Sequence, residues 1–172
     1  MAPKNEPANQ DFVITRVFDA PRELVFKVWT SAEHLEHWFG PKGATLHNAK
    51  LDLRPGGGLL ACIRPPDGRD MWGKWVFREI VVPERIVFVN SFSDENGGLT
   101  RHPLSPTWPL ELLTTITFAE ESGKTKLTLR WIPVNATEDE RKTFNGGRES
   151  MKMGWTGTFD NLETYLDLQK RG

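Results

Sequence analysis

The residues of this 172-residue chain whose types suit acid–base, metal or covalent chemistry are few: four histidines, one cysteine and some arginines in apolar runs. His34 and His37 are three apart beside Glu33 and Glu36, so on a helix they share a face and suit a metal. The order is not His-Glu-x-x-His and no third ligand is implied, so they read as solvated helix surface and no metal is expected. His47, in a strand pattern, and His102, in an irregular stretch, are candidate general bases. Neither has a carboxylate in sequence to orient it, and Arg64 is the third catalytic candidate on equally slight grounds. Arg16, Arg78 and Glu79 also fall in strand patterns and read as outward-facing, because a lone buried charge is costly. Cys62 reads as a small buried hydrophobe. Gly123-Lys124-Thr125 lacks the earlier glycine of a phosphate loop, since Phe118 stands there. Gly56-Gly57-Gly58 lies between strands and reads as a turn or bulge, not a dinucleotide loop. No Gly-x-Ser-x-Gly elbow occurs. No cofactor is implied.

The elements that would position these residues follow from periodicity. Asp11 to Asp19 alternates as a strand, with Phe12, Ile14 and Phe18 on one face. Two short helices follow, one after Asp19-Ala20-Pro21 with Asp19 as its cap, and one over Ala32 to Phe39 capped by Thr30-Ser31. A series of strands comes next: 44–54, 59–64, 71–80, 85–92, 110–118 and 125–132. Short Gly and Pro turns separate them, apart from an irregular stretch over 93–109. Such an order predicts an antiparallel sheet and an α+β fold. The last third, Thr137 to Leu168, reads as one long helix opened by a Thr137–Glu140 capping box. Phe144, Met151, Trp155, Phe159, Leu162 and Leu166 form its apolar stripe. Gly147, Ser150, Gly154, Gly157 and Asn161 form a face of small residues. Each interior glycine costs roughly 1 kcal/mol against Ala, which leaves a break at Gly146-Gly147 as the alternative to a continuous helix.

Composition bounds the function. A formal net charge of −1 gives no electrostatic footprint for nucleic acid. A single cysteine excludes an internal disulfide. With no apolar run near the start and none long enough to span a membrane, the expected location is the cytoplasm. The expected organisation is a loose tail over 1–10 and one domain over 11–170. Seven Trp and ten Phe against one Tyr suit a large apolar interior. Because Trp rarely vanishes completely into a core, some should line a cavity.

Several of these segments, in order, resemble a known family. They are Phe18-Asp19-Ala20-Pro21, Trp38-Phe39-Gly40-Pro41-Lys42-Gly43, Leu53-Arg54-Pro55-Gly56-Gly57, the run Glu79 to Phe88, and Gly154-Trp155 with Leu162. Over 11–168 the chain is similar to the START-like helix-grip superfamily (SRPBCC), in the branch related to the C-terminal domain of the activator of the heat-shock-protein-90 ATPase. The resemblance implies a curved antiparallel sheet of about seven strands wrapped around a long C-terminal helix, with an internal pocket. It implies a binder of lipid-like or polycyclic molecules, with cyclases among the relatives, and no shared catalytic motif. Trp75 stands where relatives often have a small residue, so the pocket is expected to be narrower. Stretch 93–109 is long enough to cover it.

The expected function is therefore non-enzymatic binding of a small apolar or aromatic molecule between sheet and helix. Trp38, Phe39, Trp75, Phe77, Trp108, Met151, Trp155 and Phe159 are its expected walls. The alternatives are a polyketide-cyclase-like enzyme and a chaperone-interacting module; a homodimer is compatible with each.

Overall fold

The computed structural model describes residues 11–41, 43–67 and 69–171; the expected tail over 1–10 lies outside them. The chain folds as β1 (Phe12–Phe18), α1 (Arg22–Trp29), α2 (Ala32–Trp38), β2 (Thr45–Leu51), β3 (Gly58–Arg64), β4 (Met71–Val81), β5 (Arg85–Ser93), β6 (Leu99–Thr100), β7 (Leu112–Glu121), β8 (Lys124–Pro133), α3 (Glu138–Gly146) and α4 (Arg148–Arg171). All pairings are antiparallel, in the order β1-β8-β7-β5-β4-β3-β2, and the short β6 pairs with β5. This is the expected α+β helix-grip architecture. The two-residue β6, inside the stretch read as irregular, brings the sheet to eight strands.

Local chemistry explains most boundaries. β7 and β8 are joined by Ser122 and Gly123, both at positive φ (54° and 82°), a two-residue hairpin turn that matches the twist of its strands. Alternation then turns Leu112, Thr114, Ile116 and Phe118 of β7, and Leu127 and Leu129 of β8, into the core.

Three helix details differ from expectation. Asp19 does not cap α1; Pro21 occupies that position, with no side-chain cap. Ser31 stands at the N-cap of α2 but makes no capping bond, while Thr30 Oγ1 donates back to the Phe26 carbonyl. The last third is two helices rather than one. α3 ends at Gly146, Gly147 is its C-cap, and α4 restarts at Arg148. A Cβ at Gly147 would lie 3.5 Å from Trp108 Cζ3, so the break sits where an aromatic side chain packs on the backbone.

The apolar stripe holds across the break. Phe144, Met151, Phe159, Leu162 and Leu166 are buried, and Trp155 is half-buried. The small-residue face divides. Asn161 Nδ2 donates to the Gly40 carbonyl at 3.0 Å, tying α4 to the end of α2, whereas a Cβ at Gly154 would meet nothing within 4 Å. Arg16 lies on the core side of β1, half-buried, not outward as expected. Its Nη1 donates to Asp160 (2.9 Å) and Glu163 (3.3 Å) on α4, and its guanidinium lies over the Phe18 and Phe159 rings. Helix-borne carboxylates supply the partners that sequence periodicity alone did not pair with it.

Candidate functional site: an aromatic interior beneath the last helix

The inner face of the sheet, α1, α2 and α4 meet around one network of rings. Trp29, fully buried at the end of α1, is its hub: centroids lie 4.8 Å from Trp38, 6.0 Å from Phe39, 6.5 Å from Trp75 and 6.3 Å from Trp155. On the sheet side Trp75 stacks on Phe88 at 4.1 Å, and Phe77 lies edge-on to both. On the helix side Trp155 touches Phe159 (5.7 Å) and Trp131 (5.6 Å). Trp131 leads on to Trp108 (6.5 Å), which packs against Phe144 (5.7 Å).

The seven aromatic wall candidates thus fall in one connected network, and Met151 belongs to the same core. Among the rings of the network that the sequence reading did not assign to the wall are Trp29, Phe88, Trp131 and Phe144. Alternation along β8, with Leu127 and Leu129 inward, was the available signal for Trp131.

Burial within the network is uneven. Trp29, Trp38, Trp75, Phe77 and Phe159 are buried, while Phe39, Trp108, Trp131 and Trp155 keep part of their surface accessible although all four pack on the core. The accessible rings come from the α2–β2 connection, the 101–111 loop, β8 and α4.

Polar groups inside are few. Trp29 Nε1 and Trp131 Nε1 are buried with no hydrogen-bond partner among the described residues. A buried donor left unpaired costs about 1–3 kcal/mol. On the sheet, Asn90 and Thr114 join Arg16 and Thr125 as polar side chains at inward positions, and Thr114 Oγ1 donates to Asn90 Oδ1 at 2.5 Å.

The loop carrying Trp108 is strapped to α3. Thr107 and Thr143 hydroxyls share a hydrogen bond of 2.8 Å, and Arg101 Nη1 donates to Glu140 Oε2. Glu140 also completes the capping box, accepting from the Thr137 amide at 2.9 Å while its own amide donates to Thr137 Oγ1. The Arg101 bond first, and the Thr137 amide second, hold the Glu140 carboxyl below its ordinary value of 4.5. A lowered carboxylate contributes stability that is present above about pH 4.5 and is lost as pH falls through the folded value. Glu140→Gln keeps the cap acceptor and removes the charge. It should cost about 1 kcal/mol at pH 7, a modest figure because Arg101 is 49% exposed. The difference from wild type should narrow in urea melts as pH falls through the folded value of Glu140.

The catalytic candidates do not gather. His47 Nε2 shares a hydrogen bond with Thr45 Oγ1 at 2.8 Å and lies opposite Cys62 in the β2–β3 register. Arg64 grips Asp70 through Nε (2.7 Å) and Nη2 (3.2 Å) on the exposed surface. Cys62 is buried, as expected, and burial first, with Asp70 beside it, pushes its thiol up. His102 alone lies at the aromatic interior, against Phe92 (4.8 Å) and Trp108 (6.4 Å). Its Nδ1 accepts from the Leu104 amide at 3.0 Å, and burial lowers its pKa, favouring the neutral ring. His34 and His37 both contact Tyr165 of α4, the former by a 2.6 Å hydrogen bond and the latter by ring stacking. No helix among the described residues is long and apolar enough to cross a membrane.

Comparison with known proteins places this architecture. The family model described as activator of Hsp90 ATPase homolog 1-like protein matches residues 19–167. Among solved structures, a Nitrosomonas europaea protein superposes with a TM-score of 0.75 at 24% identity, covering 94% of this chain and 97% of its own. An Arthrobacter aurescens protein gives 0.74 at 23%, covering 95% and 89%. The AHSA1 protein of Silicibacter pomeroyi gives 0.70 at 17%, covering 93% and 99%. At these identities the likeness carries the fold alone. A search of curated proteins returns no match.

Proposed function

The chain belongs to the activator of Hsp90 ATPase homolog 1-like family, and from that premise we propose that it binds a small apolar or aromatic molecule between the sheet and α4. The observation that carries this reading is the partial accessibility of Phe39, Trp108, Trp131 and Trp155, four rings packed on one core. Each of these rings offers a large apolar area to a molecule seated against it. Binding is favoured over catalysis because His47 and Arg64 are held in contacts on β2 and β3, leaving His102 without a titratable partner at the interior.

The test is a thermal-shift screen with aromatic, polycyclic and fatty-acid probes. A probe at about 100 times its Kd adds roughly 2.7 kcal/mol, a rise of roughly 5–10 °C for a chain of this size. The shift should vanish in Trp155→Ala. No shift with any probe would remove the reading.

The family description favours a second reading, contact with a chaperone. The most exposed apolar side chains, Val82, Leu104 and Met153, come from three separate segments. Stimulation of a purified Hsp90 ATPase at stoichiometric concentration would support this reading, and an unchanged rate would remove it.

A further inference from the structure

The inner sheet face is apolar along most of its cross-strand rows. One row runs Leu59–Trp75–Asn90–Leu112–Pro133 and the next Phe77–Phe88–Thr114–Trp131–Phe12. The first carries one polar side chain, Asn90, and the second one hydroxyl, Thr114. They are bonded to each other across β5 and β7, with Thr114 Oγ1 on the Oδ1 side of the amide. This fixes the orientation of the amide. Nδ2, with two N–H groups, has no hydrogen bond among the described residues, and Asn90 is only half-buried. Directly across from Thr114 stands Trp131, whose Nε1–H is a second donor without an acceptor. The patch therefore offers two unpaired N–H donors beside the Thr114 hydroxyl oxygen, in a surround of rings.

Charge narrows the chemistry further. The one guanidinium on the core side of β1, Arg16, is already shared between Asp160 and Glu163. An anion in the aromatic interior would lose its hydration without a counter-charge, whereas a neutral oxygen would lose little and gain the waiting N–H groups.

From this juxtaposition we infer that the interior recognises a neutral cyclic molecule through a carbonyl oxygen, with Asn90 Nδ2 and Trp131 Nε1 as its donors. The inference rests on the binding reading above and specifies its ligand class. Asn90 and Trp131 are then specificity-determining residues, and Thr114 positions Asn90.

The experiment compares three probes on one skeleton, tetralin, 1-tetralone and tetralin-1-carboxylate, by isothermal titration of the full chain. The ketone should bind about five- to tenfold more tightly than the hydrocarbon, the gain of about one net hydrogen bond, and more tightly than the carboxylate. Asn90→Leu should erase the ketone's advantage while leaving tetralin binding in place. Trp131→Phe, which keeps a ring, should narrow the advantage and serves as the test if Asn90→Leu does not fold. Equal affinity for ketone and hydrocarbon in wild type overturns the inference and leaves apolar binding standing. A preference that survives both substitutions, or tighter binding of the carboxylate, overturns it as well. Saturable binding of none of the three removes the binding reading and this inference together.

Discussion

Trp29→Ala should lower stability by about 3–5 kcal/mol, the range for emptying a large buried aromatic site. In a domain of this size that is a fall in Tm of roughly 6–20 °C, read by calorimetry or urea melts. Trp29 is fully buried and contacts rings from α2, β4 and α4 at once. Its removal therefore unlinks three elements rather than trimming one. Trp38 could not compensate by moving into the gap, because its Nε1 is held by the Val28 carbonyl at 3.1 Å. Trp108→Ala, at the half-buried end of the same network, should cost clearly less. If the two substitutions cost the same, Trp29 is not the hub and the network is a set of independent contacts.

Trp29 also shows where sequence reasoning stops. Val25, Val28 and Trp29 recur at helical spacing along α1, but periodicity gives a face and not a partner. That the face meets Trp155 from the other end of the chain is a fact of tertiary packing. The strands were readable because β7 and β8 alternate cleanly and close on a Ser122–Gly123 turn. The Thr137 capping box was readable because its partners are three residues apart. The helix break was not decided by the same means. Its glycines argued for a break and its continuous stripe against one, and the deciding contact, Trp108 against Gly147, spans 39 positions. The eight wall candidates were chosen by residue type and stripe, and the seven aromatic ones fall in one network of rings. Asn90 was not singled out in the sequence. Alternation with Ile86 and Phe88, and the register with Trp75 and Leu112, turn it inward.

The second large effect is expected from a single methyl group. Gly58→Ala should cost about 3 kcal/mol, at or above the usual range for an overpacked site, and should weaken binding of any interior ligand in the molecules that still fold. A Cβ at Gly58 would lie 1.9 Å from the Trp75 carbonyl oxygen and 2.9 Å from its carbon. Backbone atoms cannot swing aside as a side-chain tip can. Either β3 leaves its register with β4, in which Gly58 faces Val76, or Trp75 moves. The first route loses the bonds that stitch the turn to β4, Gly56 N to Phe77 O at 2.9 Å and Phe77 N to Gly57 O at 2.8 Å. The second disturbs the Trp75–Phe88 stack on the floor of the interior. Gly56 is the control. It sits at φ 86° with open space around it, so Gly56→Asn, a residue that tolerates this conformation, should cost under about 1 kcal/mol. Urea melts with near-ultraviolet circular dichroism would read both stability and the tryptophan environment. A Gly58→Ala protein with unchanged stability and an unchanged aromatic signal would mean that β3 can shift without Trp75, and that the glycine turn does not set the position of the aromatic floor.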